Sequence, residues 1–342
     1  SLPYWKRLPM DFEIMSFVTP YGIGLDFGMD GKTWTFDVTD YTPFLNGDKR
    51  IFMNKGGQWQ EDIDIKFLYI VGIPPADVID VSQLWKVNKV GYTSIINNTY
   101  FAPRDVLMNS NGEMFKVRSM ITGHGQEGEF ISRNHFINID GGSIDFNWNV
   151  WKKCGENPVY PQGGTWIYNR AGWCPGMSTQ LVENDVTSLV TPGQTTTFDY
   201  GLTTASGSSS YIVNHQLVTY GAPNHLLDAA VIDVIAPSNK VEHARTGQTC
   251  IQPKITIKNT GSTVITRLTI EYWVNDETNK QEYSWLGYLT YLETEEIILP
   301  APFALWAPVS GIENVFHARV KAPNNSVDEY SPNDEYISNF MI

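Results

Sequence analysis

The chain has 342 residues, of which 42% are hydrophobic and 18% charged, and its formal net charge is −13. This length predicts two or three domains, and the hydrophobic content excludes a disordered chain. The negative charge argues against nucleic acid or an anionic membrane surface as the partner. No apolar run approaches the roughly 20 residues of a membrane-spanning helix, so we expect no membrane-spanning segment.

Strand patterns dominate the chain from its beginning to its end. Hydrophobic and polar residues alternate in residues 33–38, 62–69, 254–258 and 268–274. A period of two, punctuated by Gly, Pro, Asn and Asp, is typical of antiparallel strands in β-sandwiches. The sequence therefore predicts an all-β protein.

Two proline-containing stretches predict domain boundaries. Gly72-Ile73-Pro74-Pro75 follows one strand pattern, and Gly221-Ala222-Pro223-Asn224 precedes another. Proline cannot continue a central strand. We therefore expect three domains, at residues 1–75, 76–226 and 227–342.

The stretch from Ile121 to Met177 carries the most unusual residues. Glu129 follows a glycine-rich turn, and Arg170 opens the run Arg-Ala-Gly-Trp-Cys-Pro-Gly-Met. A carboxylate beside apolar aromatic rings can exchange protons with a substrate, and a guanidinium offers a planar fork of donors. The alternatives are a solvated glutamate at a hairpin end and a surface salt bridge.

The same glycine-rich turn does not predict a phosphate site. It lacks a following Lys-Ser/Thr, and we expect it to lead into a strand and not a helix. The sequence also lacks the cysteine and histidine spacings of a metal site. We therefore expect neither a metal nor a cofactor.

This stretch resembles the peptide-N-glycosidase F family, the bacterial amidases that remove N-linked glycans. The matches are Thr122-Gly123, Glu129, Arg133-Asn134-His135-Phe136 and Asn169 through Met177, with looser similarity over residues 12–74. The resemblance implies two adjacent jelly-roll sandwiches with the site in the groove between them. The tail from about Leu227 resembles the adhesion-related immunoglobulin-like domains of bacterial surface proteins.

The resemblance also assigns roles to individual residues. Glu129 is expected to bind the innermost sugar and assist catalysis, and Arg170 to hold the sugar or a carboxylate. His124 stands where several family members carry a sugar-flanking tryptophan. Trp173 is either a sugar-binding ring or a core residue, whereas His135 is expected to be structural.

Three cysteines are distributed over the chain, and the family forms a disulfide at the pair matching Cys154 and Cys174. Such a bridge would fix the loop that contains Arg170. A second family disulfide flanks the glutamate, but its positions here are Glu127 and Ile131. We therefore expect that bridge to be absent, the Glu129 loop to be softer, and Cys250 to be free.

The carboxylates of the first domain depart from the family pattern. The family's water-activating aspartate has no counterpart in the chain, so we expect the strands that carry it to precede Ser1. A second family carboxylate aligns with Asn54. Glu61 is the candidate to replace it, and Trp59 the candidate to replace the sugar-facing tryptophan.

These inferences predict an exported glycan amidase that is secreted, periplasmic or on the bacterial cell surface. Its reaction would hydrolyse the amide between asparagine and the innermost N-acetylglucosamine, and its partners would be N-glycosylated proteins or glycopeptides. Two alternatives remain. The protein could be a glycan-binding surface protein that kept the groove without the chemistry, or a purely structural adhesin.

Overall fold

The computed structural model describes residues 12–22, 25–28, 31–49, 51–54, 62–204, 207–245, 252–302 and 311–342. Within these ranges nearly all regular structure is β, which confirms the predicted all-β class. The strands are β1 (Ala76–Gly91), β2 (Arg104–Leu107), β3 (Met114–His124), β4 (Arg133–Ile139), β5 (Phe146–Val150), β6 (Leu181–Asp185), β7 (Thr195–Leu202), β8 (Ser210–Pro223), β9 (Ala229–Ala236), β10 (Lys254–Asn259), β11 (Ile265–Val274), β12 (Gln281–Leu289), β13 (Thr294–Ile298), β14 (Asn314–Lys321) and β15 (Glu335–Phe340).

Helices are short. The α-helices are α1 (Tyr92–Ile96) and α2 (Gln126–Phe130), and the 3-10 turns are Thr39–Tyr41, Cys154–Glu156, Thr187–Leu189, Val241–His243, Glu277–Asn279, Pro323–Asn325 and Ser331–Asn333. Helix α2 lies where the sequence predicted a direct passage from the glycine-rich turn into a strand. That prediction was wrong, because one helical turn intervenes before β4.

Strands β1 to β8 form a jelly roll. Sheet I has the order β1-β8-β3-β6, sheet II has the order β2-β7-β4-β5, and every pairing is antiparallel. Two four-stranded sheets in this order are the two interlocked Greek keys of a jelly roll. The middle part of the chain therefore has the fold that the resemblance implied.

The core of this domain lies between the two sheets. Phe115 and Leu217 from sheet I meet Ile137 and Phe198 from sheet II, and each is at most 2% exposed. Burial of one such side chain contributes about 1.5–3 kcal/mol to folding. Along each strand every second side chain points into the core, because successive side chains of a strand lie on opposite faces of the sheet.

Two histidines are fully buried in this core. His135 Nδ1 hydrogen-bonds the Tyr200 hydroxyl at 2.8 Å, and His215 Nδ1 hydrogen-bonds Ser119 Oγ at 2.8 Å. Burial lowers the pKa of both imidazoles to about 3, and His135 contributes to the shift of His215. The burial of His135 and its bond to Tyr200 favour the structural role predicted for it.

Residues 12–14 and 38–45 pack on the outer face of sheet I. Tyr41, 1% exposed, donates its hydroxyl to Gln216 Oε1 at 2.6 Å, and Asp40 pairs with Arg118 and accepts from the Tyr220 hydroxyl. Val218 and Tyr220 form a second small core with these residues. The N-terminal part of the chain is therefore held against the jelly roll by apolar and polar contacts.

Two predicted strands in this N-terminal part are not formed. Residues 33–38 and 62–69 have no strand ladder in the described part of the chain. In residues 33–38 the hydrophobic side chains do share one face, where Trp34 stacks on Phe17 with ring centroids 4.7 Å apart. A strand also needs a neighbour for its backbone hydrogen bonds, and alternation does not report one. The first jelly roll remains a prediction.

Strands β9 to β15 form a second sandwich. One sheet has the order β13-β10-β9 and the other the order β12-β11-β14-β15, again antiparallel throughout. Seven strands in sheets of three and four are the arrangement of an immunoglobulin-like domain. Its core contains Ile257, Ile270 and Phe316, all fully buried. The strands predicted at 254–258 and 268–274 are confirmed by β10 and β11.

The buried histidines predict a loss of stability in acid. Each has a folded pKa of about 3 against an ordinary value of 6.5, so the unfolded state binds more protons below pH 6.5. The contribution is fully present above that pH. It falls by up to about 1.4 kcal/mol per histidine per pH unit as the pH drops toward 3. We expect His215→Asn to be less stable at pH 7.5 and to lose less stability by pH 4.5. Urea unfolding at both pH values measures this, and equal losses in the two proteins would contradict it.

Candidate active site

Glu129 lies in α2, between β3 and β4. Its backbone N–H donates to the Gly125 carbonyl at 2.8 Å, and its carbonyl accepts from the Ala171 N–H at 2.9 Å. The side chain is 20% exposed, and Oε1 accepts from Arg170 Nε at 2.7 Å. The carboxylate is thus oriented by one strong ionic hydrogen bond and still reaches the surface.

Glu127 and Ile131, where the resemblance implied a second family disulfide that this chain lacks, are joined through the backbone. Ile131 N–H donates to the Glu127 carbonyl at 3.2 Å. The greater softness expected for the Glu129 loop remains a prediction.

Arg170 is fully buried and all of its donors are used within the chain. Nε donates to Glu129, one terminal nitrogen donates to the Tyr168 carbonyl at 2.9 Å and the Trp166 carbonyl at 3.4 Å, and the other donates to the Thr165 carbonyl and hydroxyl, both at 2.8 Å. A guanidinium has five N–H groups, and five acceptors meet it. In this arrangement Arg170 positions Glu129 and the 165–168 turn and has no donor left for a sugar.

Three aromatic rings surround the guanidinium. Its central carbon lies 5.0 Å from the Trp173 ring centroid, 5.1 Å from that of Phe130 and 5.7 Å from that of Tyr21. Such contacts stabilise a cation that has left water. Burial raises the pKa of the Tyr21 phenol, and Glu129 raises it further while Arg170 lowers it, so Tyr21 belongs to the same electrostatic cluster.

The loop that carries Arg170 is closed by the predicted disulfide. Cys154 and Cys174 are bonded, 20 positions apart in sequence. A loop near this size is stabilised by about 3 kcal/mol relative to the open chain. Lys152 and Arg170 also exchange backbone hydrogen bonds of 2.8 and 3.2 Å. The loop is therefore fixed at both ends.

Glycine allows this loop to lie directly on β3. Gly172 has φ +76°, and a Cβ there would stand 2.0 Å from the Ile121 carbonyl oxygen. Gly123 would meet the Gly128 carbonyl oxygen at the same distance. Any larger side chain at either position would separate Arg170 from Glu129.

The N-terminal segment completes this side of the site. Phe17 forms a backbone bridge with Ser178, and Val18 exchanges hydrogen bonds with Met177 and Gly176 at 3.0 and 2.8 Å. Tyr21 N–H donates to Gln162 Oε1 at 2.8 Å. These contacts bring the Tyr21 ring beside Arg170.

His124 and Trp173 lie together as the sequence predicted, but Trp173 is buried. The rings are 6.0 Å apart and 22° from parallel. Trp173 is 8% exposed and donates its indole N–H to the Gly123 carbonyl at 2.9 Å, which favours the core role that we weighed for it. Burial, followed by Lys89, lowers the pKa of His124 to about 4, so this ring is neutral at pH 7.

Other predicted residues lie elsewhere or outside the described ranges. Glu61, Trp59 and Cys250 are not among the described residues, so their roles remain predictions. Asn54 is exposed. Within the described ranges no group of three or more His, Cys, Asp or Glu could hold a metal ion. No helix among the described residues is long and apolar enough to cross a membrane.

Three contributors escaped the sequence reasoning. Phe130 and Tyr21 each contact the Arg170 guanidinium with an aromatic ring. Thr165 accepts hydrogen bonds from it with its carbonyl and its hydroxyl oxygen. Phe130 follows Glu129 directly, and Tyr21 ends a segment that already resembled the family. Their closeness in sequence to the matched motifs could have indicated that these residues lie near the site. It could not indicate which way each side chain points.

Comparisons with known proteins point to one family over the middle of the chain. Residues 92–219 match the family described as "Peptide-N-glycosidase F, C terminal". The peptide-N(4)-(N-acetyl-β-D-glucosaminyl)asparagine amidase F of Elizabethkingia miricola is 27% identical over 209 residues, which cover 55% of this chain. The match spans 57% of the length of that relative.

Solved structures are similar over parts of the chain. The PNGase F structure from Flavobacterium meningosepticum is 22% identical, with a TM-score of 0.41 over 44% of this chain and 55% of that one. A domain of a cell-surface protein from Methanosarcina acetivorans is 12% identical, with a TM-score of 0.25 over 34% of this chain and 91% of that one.

The fold and the site together define an antiparallel jelly-roll protein whose buried arginine orients a glutamate through a disulfide-closed loop. Within that domain, residues 92–219 are similar to the C-terminal part of the peptide-N-glycosidase F family.

The burial of Arg170 predicts a large stability effect. Arg170→Ala leaves the Glu129 carboxylate and several carbonyls without their donor, and removing one partner of a buried pair costs about 3–5 kcal/mol. Arg170→Lys keeps the charge but not the planar fork, so we expect an intermediate loss. Urea unfolding measures both, with Arg267→Ala, which removes an exposed arginine of β11, as the control. A loss below about 1 kcal/mol in Arg170→Ala would contradict the described role.

Proposed function

We propose that the protein hydrolyses the side-chain amide that joins asparagine to the innermost N-acetylglucosamine of N-linked glycans. The observation that carries the proposal is the Glu129–Arg170 pair, at 2.7 Å, with a buried cation and a carboxylate that remains 20% exposed. An oriented carboxylate at the surface can accept a hydrogen bond from a sugar hydroxyl or acetamido N–H. The amidase activity stated for the Elizabethkingia relative supports the same reaction class.

In this proposal Glu129 holds the first sugar and assists proton transfer at the amide. Arg170 acts through Glu129, because its donors are already used. His124, neutral and partly accessible, forms one wall of the sugar site. Trp173 supports that wall from beneath, because it is buried and stacked on the imidazole.

The remaining groups of the reaction lie outside the described residues. Glu61 is proposed as the second carboxylate and Trp59 as a further sugar-stacking ring. The reaction would give aspartate in the peptide and a glycosylamine, and it needs no cofactor.

The proposed setting is outside the cytoplasm, with N-glycosylated proteins or glycopeptides as partners. The bonded Cys154–Cys174 pair supports this setting, because disulfides persist mainly in oxidising compartments. The net charge of −13 fits a neutral ligand such as a glycan better than a polyanion.

One observation favours a second candidate, a glycan-binding protein without the chemistry. Asn54 stands where the family pattern has a carboxylate, and it is exposed. A site with the binding groups and without the catalytic carboxylates would retain sugar affinity alone. Release of glycan distinguishes the two candidates, because both would bind the sugar and only one would cleave the amide.

Glu129→Gln should remove most of the activity and should cost less stability than Arg170→Ala. Losing an acid–base or orienting group costs about 100-fold in rate, whereas the amide keeps the shape of the side chain and can still accept from Arg170. Release of glycan from a denatured glycoprotein measures the effect. Glu113→Gln, an exposed glutamate of the same domain, is the matched control. Full activity in Glu129→Gln would exclude Glu129 from the site.

The site should bind N,N′-diacetylchitobiose whether or not the chain is catalytic. We expect a dissociation constant between about 10 μM and 1 mM, because few atoms are buried and sugar hydroxyls must lose water. Calorimetric titration should show binding that is lost in Glu129→Ala. It should persist in Tyr288→Ala, which removes an exposed ring of the C-terminal domain. The reverse pattern would place sugar binding in that domain.

A further inference from the structure

The C-terminal sandwich reaches back to the loop that carries the site. Arg245 lies in the connection between β9 and β10. One terminal nitrogen donates to the Gly155 carbonyl at 2.6 Å and approaches the Asn157 carbonyl at 3.5 Å. The guanidinium also lies 4.3 Å from the Tyr160 ring centroid. A residue that follows β9 of the C-terminal sandwich thus contacts two carbonyls and one aromatic ring of the jelly-roll domain.

The groups that Arg245 binds belong to the disulfide-closed loop. Gly155 lies in the 3-10 turn that begins at Cys154, where turn-terminal carbonyls need donors from elsewhere. Asn157 is fully buried, its N–H donates to the Cys154 carbonyl at 3.1 Å, and its side-chain amide donates to Pro175. Arg245 therefore holds the outer end of a loop whose inner end holds Arg170.

The loop passes the constraint on to the site through direct contacts. Gln162 donates to the Val159 carbonyl at 2.7 Å and to the Pro175 carbonyl at 3.1 Å, and it accepts from Tyr21 N–H at 2.8 Å. The Tyr21 ring lies beside Arg170, which orients Glu129. Each step is a hydrogen bond or a ring contact between neighbours.

A second contact joins the same domain to the chain directly before β1. The Tyr291 hydroxyl, in the turn between β12 and β13, donates to the Pro75 carbonyl at 3.0 Å. The C-terminal sandwich is therefore tied to the start of the jelly roll as well as to the loop.

We propose that Arg245 is a positioning residue that holds the Cys154–Cys174 loop in place, so that the C-terminal domain supports the site. Only the effect on activity rests on the proposed function; the effect on the loop does not. The guanidinium is suited to this role because it can donate to carbonyls in its plane while stacking on tyrosine, which an ammonium cannot do.

Reduction of the disulfide tests the proposal without any substrate. Both sulfur-bearing residues are fully buried, so a reductant reaches them only when the loop opens. Losing a charge-assisted hydrogen bond and a ring contact should make opening about tenfold more frequent. We expect dithiothreitol to reduce the native Arg245→Ala protein about tenfold faster than the unsubstituted protein, and Arg245→Lys to fall between them. Arg267→Ala, on the same domain, should be unchanged.

A second variant removes the other side of the contact. Tyr160→Leu deletes the ring and leaves Arg245 in place, and we expect reduction to be several-fold faster, since a cation–π contact at a surface is worth less than the pair of contacts together. Equal reduction rates for the unsubstituted protein, Arg245→Ala and Tyr160→Leu would overturn the proposal. So would a rate that rises only in proportion to global unfolding, measured in parallel with urea.

Activity supplies the final readout. We expect Arg245→Ala to lower kcat about fivefold and to raise KM, because a displaced Glu129 both assists the transition state less and holds the first sugar less well. Arg245→Lys should recover part of kcat. If the unsubstituted protein releases no glycan, the proposed amidase function fails while the reduction rates still decide the role of Arg245.

Discussion

The buried guanidinium of Arg170 is the interaction on which the site depends. A cation taken out of water is tolerated only when its donors are all paired, and this one meets a carboxylate, three carbonyls and a hydroxyl. The pairing fixes three things together: the direction of the Glu129 carboxylate, the shape of the 165–168 turn, and the distance between α2 and the disulfide loop. Loss of any partner would leave charge unpaired inside the protein.

Several separate parts of the chain are needed to satisfy that one residue. The jelly roll supplies α2 and the β3 backbone against which Gly172 packs. The disulfide closes the loop, and the N-terminal segment adds the Tyr21 ring. Arg245 extends the same support to the C-terminal sandwich. Because polar contacts inside a protein are worth most when complete, the site is better described as the meeting point of these parts than as a feature of one sheet.

The sequence predicted the parts of this account that depend on local pattern. The run from Arg170 to Met177 located the loop, the resemblance paired Cys154 with Cys174, and alternation located β10 and β11. It could not predict the direction of the Arg170 side chain. A fork of donors can face a ligand or the interior with the same neighbours in sequence, and only the positions of Thr165 and Glu129 in space decide between them.

The failures have physical causes of the same kind. The alternation of hydrophobic and polar residues in 62–69 indicates an extended segment with one apolar and one polar face. A strand also needs a neighbouring strand to bond with, and the pattern does not reveal one. The glycine-rich turn before Glu129 gave no sign of one helical turn, because five residues are too few for a 3.6-residue period to show. Asn54 and Tyr21 are likewise interpretable only beside the groups that they face.

Hydrolysis of a defined glycopeptide in H2¹⁸O, with the protein at its full natural length, tests the central claim most directly. The proposed reaction breaks the asparagine amide with water, so the peptide should end as aspartate carrying one ¹⁸O in its side-chain carboxylate, and the intact glycan should be released. A peptide that keeps the whole glycan, or that keeps one N-acetylglucosamine on an unlabelled asparagine, would contradict the account.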